Sequence, residues 1–416
     1  MSFIIFGDIF SFPDGSAATN RVYTYAKGLR NRGVNVHVIC FANNYLDRYE
    51  GEVEKIKYYH PFAQKTRNKY FIVRRWLNLK KYVRTYKTLK QINNEDKVIA
   101  VNSWTNNLQT HLIIWFICKL LRTKLIVECN EHPLRYFQQN FFRKQLGGIK
   151  FFIESRLSSG VFCISRYLVE FYAKRGVNRN KLLLIPSTVD PTRFDSVVGT
   201  ESPVSYRYIG YFGSLTFRRD NIDMLVNSFS VFNKKFPDVR LVLGGFCSPE
   251  QKNELMNLIK ENKIEGSVIL LEYLTRQEIL QYVFHADVLV LVRRNDLEAE
   301  ASYPSKLTEF LATGKPVVTV NVGEVTDFIV DQENGFVIPA GNIDQLYNKL
   351  NYIFNNYSEA QRIGIKGKEL TSGVFNYNFQ AGRILDFIGG LSSDSSAASE
   401  VKPVSWELEK VDDVAS

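Results

Sequence analysis

Short apolar runs at 206–212, 240–244, 268–271, 287–292 and 316–320 alternate with amphipathic stretches at 222–235, 249–262, 276–285 and 305–313. The runs have the length and uniform apolarity of buried strands, and the stretches between them carry their apolar residues on one helical face. Strands buried on both sides and joined by helices form a parallel sheet covered on both faces, because a parallel crossover needs a dozen or more residues. The first half repeats the theme with an apolar strand at 3–7, a turn-rich loop, a helical pattern at 21–32 and a strand at 34–41. Further strands follow at 97–101, 124–129, 160–164 and 182–185. A chain of 416 residues with this pattern reads as α/β, two doubly wound Rossmann-like domains in series. The Ser-, Thr- and Pro-rich stretch 186–205 is the expected linker, and 391–416, rich in Ser, Ala and acid, reads as a disordered tail. Two such sheets bind ligands beyond the carboxyl ends of their strands, so the cleft between the domains is where function is sought.

Several classes are excluded. The longest apolar stretch, 112–121, is broken by Lys119 and is about half of the roughly 20 residues that a membrane-spanning helix needs. The opening MSFIIFGDIF has no basic n-region and places Asp8 inside its apolar run, so it reads as a first strand rather than a signal peptide, and residence in the cytoplasm is expected. Cys40, Cys118, Cys129, Cys163 and Cys247 are scattered with no metal-ligand spacing, which suits reduced thiols and speaks against structural zinc. The net charge of +10 conceals an asymmetry, +18 over residues 1–195 and −8 over 196–416. The basic half is the one that should meet an anionic surface.

The most informative segment is 302–320, SYPSKLTEFLATGKPVVTV. Ser302 or Ser305 is placed to cap a helix whose Leu307, Phe310 and Leu311 share one side, and Gly314 ends it. Lys306 and Glu309 lie on one flank near its amino end. A lysine beside free backbone N–H groups suits a phosphate, and a carboxylate suits the two hydroxyls of a ribose. A solvated pair on an ordinary surface helix fits the same spacing.

PSKLTEFLATGKPVV, followed by GEVTDFIVDQENGFVIPAGNIDQL, resembles the donor-binding signature of the GT4 family of retaining glycosyltransferases. YIGYFGSLTFRRDNIDMLVNSF is similar to the strand, glycine turn and helix that open that family's second domain. RLVLGGF resembles its next strand, and VILLEYLTRQEILQYVFHADVLVLV the segment after it. The likeness spans roughly residues 3–389 and is strongest over 206–345. It implies the GT-B fold, in which two Rossmann-like domains face a central cleft. The acceptor-binding domain would be 1–195 and the nucleotide-sugar donor domain 196–369, with 370–390 crossing back onto the first.

Residue by residue, the resemblance implies that Glu309, the second glutamate of the family's E-x7-E motif, binds the ribose hydroxyls. Arg219 stands where a cation meets the diphosphate, with Lys306 as a second such charge and Ser305 beside it. Gly213 and Gly245 fall where backbone approaches the donor closely, and Tyr273, next to Glu272, falls near the base. The loop 13–17, with Gly15 and Ser16, resembles the family's glycine loop but lacks its double glycine. After the strand ending at Cys129, His132 and Glu131 are candidates to reach the donor sugar, although alignment on Pro133 puts the family's histidine at Asn130. Ser165 resembles a family turn or is a helix cap. One departure stands out: the first glutamate of E-x7-E is Ala301 here, with Glu298 and Glu300 just before it. Either glutamate substitutes through a shifted loop, or both belong to a charged loop.

The activity implied is transfer of a sugar from a UDP- or GDP-sugar to a hydroxyl of a glycan or lipid-linked glycan, in polysaccharide or glycoconjugate biosynthesis. No cofactor is expected beyond this co-substrate, and no DxD sequence accompanies it, so metal independence is expected. A nucleotide-sugar epimerase, or a non-catalytic scaffold of a polysaccharide assembly complex, are the alternatives. The stretch 65–90 holds ten Lys/Arg and no acid, and Ile72, Trp76, Leu79, Val83 and Tyr86 mark one apolar helix face. Such a helix either packs on the sheet or lies on an anionic membrane surface, peripheral to the inner face of the cytoplasmic membrane. Nucleic acid is not an expected partner, since no recognition motif accompanies the basic patch.

Overall fold

The computed structural model describes residues 1–391 apart from 14, 16, 44–48, 63, 65, 135–140 and 273. Ser16, Tyr273 and the segment expected to form a tail beyond Leu391 therefore lie outside the described residues.

The first unit runs β1 (Ser2–Gly7), α1 (Ala17–Asn31), β2 (Asn35–Cys40), β3 (Glu50–Val53), β4 (Ile56–Tyr59), α2 (Phe71–Glu95), β5 (Val98–Trp104), α3 (Leu108–Leu120), β6 (Lys124–Cys129), α4 (Phe141–Leu157), β7 (Gly160–Cys163), α5 (Arg166–Ala173) and β8 (Leu182–Leu184). Its sheet has the order β3-β4-β2-β1-β5-β6-β7-β8, parallel throughout except for the antiparallel β3–β4 pair. All of β1 is buried, as a strand covered on both faces must be.

A second unit follows with β9 (Tyr208–Phe212), α6 (Phe217–Asp220), α7 (Ile222–Lys235), β10 (Arg240–Gly244), α8 (Pro249–Glu261), β11 (Val268–Leu271), α9 (Arg276–His285), β12 (Val288–Leu291), α10 (Leu297–Ala301), α11 (Ser305–Leu311), β13 (Val317–Val320), β14 (Phe336–Ile338), α12 (Ile343–Asn355), α13 (Tyr357–Glu369) and α14 (Tyr377–Gly390). Its six strands, in the order β11-β10-β9-β12-β13-β14, are all parallel. Strand order reverses beside β1 in one sheet and beside β9 in the other. Those switch points open the crevices in which doubly wound sheets hold ligands.

Two stretches of chain join the units, and they hydrogen-bond to each other. Val189 N donates to Phe375 O at 3.0 Å, and Tyr377 N donates to Val189 O at 3.4 Å. Beyond this crossing α14 lies along α1, where Ala381, Ile384 and Ile388 enter the same core as Val22, Tyr25 and Leu29. Gly28 permits the approach, because a Cβ there would sit 2.7 Å from Tyr377 O.

The structure corrects two local expectations. Glu298 and Glu300 lie on a short helix, α10, capped by Asp296, and not on a charged loop. Neither Ser302 nor Ser305 caps α11: Pro304 holds that position without a side-chain bond, and the Ser302 hydroxyl instead donates to Glu298 O at 2.6 Å. No helix among the described residues is long and apolar enough to cross a membrane.

Candidate active site

Residues from the carboxyl ends of both sheets meet in the cleft. Ser165, after β7, caps α5 by accepting from Leu168 N and donates to Ala301 O at 2.8 Å in the second unit. Glu324, after β13, accepts from Tyr167 N at 3.0 Å, and Arg166 pairs with Asp327 at 3.2 Å. Burial pushes the Glu324 carboxyl up to about 7, against the pull of the backbone N–H groups of Tyr167 and Arg166.

Glu309 projects from α11 into this cleft, where its Oε1 accepts from Arg193 Nη1 and from Asn20 Nδ2, both at 2.9 Å. Arg193 belongs to the turn Pro191–Val197 in the linker, and Asn20 to α1. The carboxylate is thus tied to the opposite wall. Neither partner was evident in the sequence, since each lies more than a hundred residues away and in no shared motif. The Nε of Arg193 is buried without a partner among the described residues.

One turn earlier on α11, Lys306 has no hydrogen bond or ion pair among the described residues, and its Cε lies 3.0 Å from where a Cβ on Gly213 would be. Desolvation pulls its pKa down; Glu309 and Asp220 oppose that pull and Arg193 adds to it. A recessed, unpaired ammonium is costly in the empty protein and attracts an anion. Gly213 follows β9 and Gly245 follows β10, and the two backbones abut. At φ +146° Gly245 is in a conformation that suits glycine, and a Cβ there would fall 1.7 Å from Gly213 O. The glycine pair therefore packs backbone on backbone beside Lys306.

Arg219 lies on α6, half-exposed, 3.9 Å from Glu131 of the loop after β6, so this pair also spans the cleft. Arg293, buried after β12, donates from Nη2 to Ser302 Oγ at 3.2 Å; desolvation and the nearby Arg219 lower its pKa. His132 turns away from Glu131 into the first unit. Its Nδ1 accepts from Leu134 N at 3.2 Å and its ring packs edge-on to Phe171, so the neutral ring carries its proton on Nε2. Burial and Arg175 depress its pKa. Gly15 lies at the foot of α1, where a Cβ would meet Thr19 Oγ1 at 2.3 Å.

Behind these loops a buried network, also unforeseen from sequence, fixes the first unit. Arg21 of α1 donates to Glu128 Oε1 at 3.0 Å and to the carbonyls of Ile185 and Pro186, both at 2.7 Å. Asn102 and Tyr25 also donate to Glu128. One ion pair thus anchors α1, the end of β6 and the start of the linker.

The chain matches the family model "Glycosyl transferases group 1" over residues 196–370 and "Glycosyltransferase Family 4" over 18–193. It belongs to the GT4-type glycosyltransferases. Among curated relatives, an uncharacterized glycosyltransferase of Haemophilus influenzae is 27% identical over 34% of this chain. The capsular polysaccharide biosynthesis glycosyltransferase CapM of Staphylococcus aureus is 22% identical over 40% of it. These alignments span 37% and 42% of the relatives' own length. Sucrose-phosphate synthase from Thermosynechococcus elongatus superposes with a TM-score of 0.69 at 15% identity, covering 95% of this chain and 100% of that one. A glycosyltransferase from Rickettsia africae gives 0.68 at 17%, covering 95% and 100%. Anabaena Alr3699/HepE in complex with UDP-glucose gives 0.61 at 16%, covering 92% and 99%. The fold of this GT4-type chain is GT-B.

Proposed function

We propose that this glycosyltransferase moves a sugar, with retention at the anomeric carbon, from a nucleotide diphosphate sugar to a hydroxyl of a glycan or lipid-linked glycan in polysaccharide biosynthesis. The observation that carries the reading is the recessed, unpaired Lys306 on the same short helix as Glu309, at the abutting backbones of Gly213 and Gly245. That UDP-glucose occupies HepE and that CapM serves capsule synthesis support the donor and acceptor classes.

Breaking the anomeric bond builds negative charge on the leaving diphosphate, and fixed cations aimed there lower the barrier most. In this reading Lys306 and Arg219 take that charge without a metal, and Glu309 exchanges Arg193 and Asn20 for the two ribose hydroxyls. Gly213 and Gly245 keep side chains out of the donor's path, and Ser305 and the α1 foot at Gly15 border it. The acceptor hydroxyl attacks from the face that the diphosphate leaves, and the departing phosphate takes its proton. Glu131, within reach of Arg219, is the acid of the first unit placed to orient a hydroxyl. His132 shapes its loop from behind, and Glu298 and Glu300 on α10 face the question of sugar choice. On α2 the side chains of Ile72, Trp76, Leu79 and Val83 are exposed among basic residues, which supports contact with an anionic membrane.

Calorimetric titration of UDP, GDP, ADP and CMP tests the reading, with Arg219→Ala and Glu309→Gln beside the wild type. One nucleotide diphosphate should bind, and each substitution should weaken it about tenfold or more, the worth of a charge-assisted hydrogen bond. Binding of none of the four overturns the reading in favour of a scaffold.

A further inference from the structure

The apolar periodicity of α2 does not face the sheet. Leu77, Lys81, Thr85, Leu89 and Ile92 are buried, whereas Ile72, Trp76, Leu79 and Val83, four and three residues apart on the opposite side, are 53–80% exposed. On the same face of the first unit α3 exposes Phe116 and Leu120, and α4 exposes Leu146, Ile149 and Phe152. A soluble protein has no use for such a stripe unless something covers it.

At the amino end of α2, where the stripe begins, an open cleft of about 370 Å³ is lined by Arg67, Arg74 and Arg75, by three asparagines and by Phe62, Phe71 and Leu77. Among the described residues no acid lines it, and none of the three guanidinium groups has an ion-pair partner. Arg74 is braced by the carbonyls of Asn68 and Lys69 at 3.1 and 3.0 Å, and the guanidinium groups of Arg74 and Arg75 lie 5.8 and 5.1 Å from the centre of the half-exposed Phe71 ring. The cleft has a built inner wall. Asn43, which follows β2, accepts from Lys81 Nζ at 2.8 Å and donates to Asn78 at 3.3 Å. It therefore opens at the carboxyl edge of the first sheet, the edge that meets the second unit.

We propose that this cleft holds the terminal phosphate or diphosphate of a membrane-borne amphiphile, whose apolar chain leaves along the Ile72–Trp76–Leu79 stripe. Three guanidinium groups without an ion-pair partner among the described residues suit an oxyanion with several acceptor oxygens, which they contact through forked donors. The adjoining apolar stripe, flanked by Lys69, Arg74, Arg75 and Lys80, suits a lipid source over a soluble one. The inference rests on the transferase reading and deepens it: the amphiphile is the carrier of the acceptor, brought to the sheet edge that faces the donor unit.

The test is co-sedimentation of the full chain with phosphatidylcholine vesicles containing phosphatidic acid, against vesicles of equal surface charge made with phosphatidylserine. Arg67→Gln/Arg75→Gln removes two cations that make no side-chain hydrogen bond among the described residues, Arg67→Lys/Arg75→Lys keeps the charge, and Ile72→Ser/Leu79→Ser strips the stripe. Circular dichroism of every variant, and its titration with the nucleotide that the wild type binds among UDP, GDP, ADP and CMP, run alongside. Wild-type protein should prefer phosphatidic acid, the Gln pair should lose ~30-fold in affinity, the Lys pair should retain part of it, and the Ser pair should lose vesicle binding. Equal binding to both anionic lipids, or indifference to the Gln pair, overturns the cleft. Full competition by soluble glycerol 3-phosphate with no effect of the Ser pair overturns the lipid source. Nucleotide binding that persists while vesicle binding fails sinks this proposal alone, whereas failure of the wild type to bind any of UDP, GDP, ADP and CMP sinks the transferase reading.

Discussion

Lys306 and Gly245 are the two residues whose local chemistry makes the sharpest demands. Replacing Lys306 by Met removes an unpaired, recessed ammonium while Glu309 keeps Arg193 and Asn20. The donor-free protein should therefore gain about 1 kcal/mol of stability in thermal unfolding, while nucleotide affinity falls roughly tenfold or more. A variant that loses stability and keeps its affinity would show that the ammonium serves the fold. Gly245→Ala places a Cβ 1.7 Å from Gly213 O at φ +146°, and should cost at least ~3 kcal/mol in chemical denaturation. Lys306 and Glu309 were readable as a pair on one flank because three-residue spacing on a helix is a local property. What they face was not readable, because Asn20 and Arg193 reach Glu309 through the tertiary fold alone.

At the scale of elements, the alternation of apolar strands and amphipathic helices was legible because burial on both faces leaves a period that a single sequence displays. The β3–β4 hairpin was not, for its strands EGEV and IKYY are only four residues each at one end of the sheet, where Ile56 alone is fully buried and little forces an apolar pattern. The stripe on α2 shows the reverse limit: periodicity announces an apolar face without saying what covers it. The ion pair between α1 and β6 has no periodicity at all. Its removal by Arg21→Leu leaves Glu128 buried without its cation and should cost ~3–5 kcal/mol. Arg21→Leu combined with Glu128→Leu should recover a measurable part of that loss, whereas strictly additive costs in a double-mutant cycle would show that the pair is uncoupled.

For the whole molecule, Glu324 links stability to pH across the cleft. Its carboxyl, raised from 4.5 to about 7 by burial, holds a proton in the folded protein that the unfolded chain has released. Its contribution is complete below pH 4.5 and is lost as pH rises through about 7. Glu154, raised to about 7 by burial, titrates in the same window. The share of Glu324 is therefore read as the difference between wild type and Glu324→Gln, and denaturation midpoints from pH 4.5 to 7.5 should fall less steeply in the variant; parallel curves would remove Glu324 from the account. The return of α14 to α1 carries a consequence for synthesis. Chains emerge from the ribosome amino end first, and domains ordinarily fold in that order. Here the core beneath Val22, Tyr25 and Leu29 waits for Ala381, Ile384 and Ile388. The unit translated first is completed late, so until α14 is released its open flank is a surface for chaperones to guard.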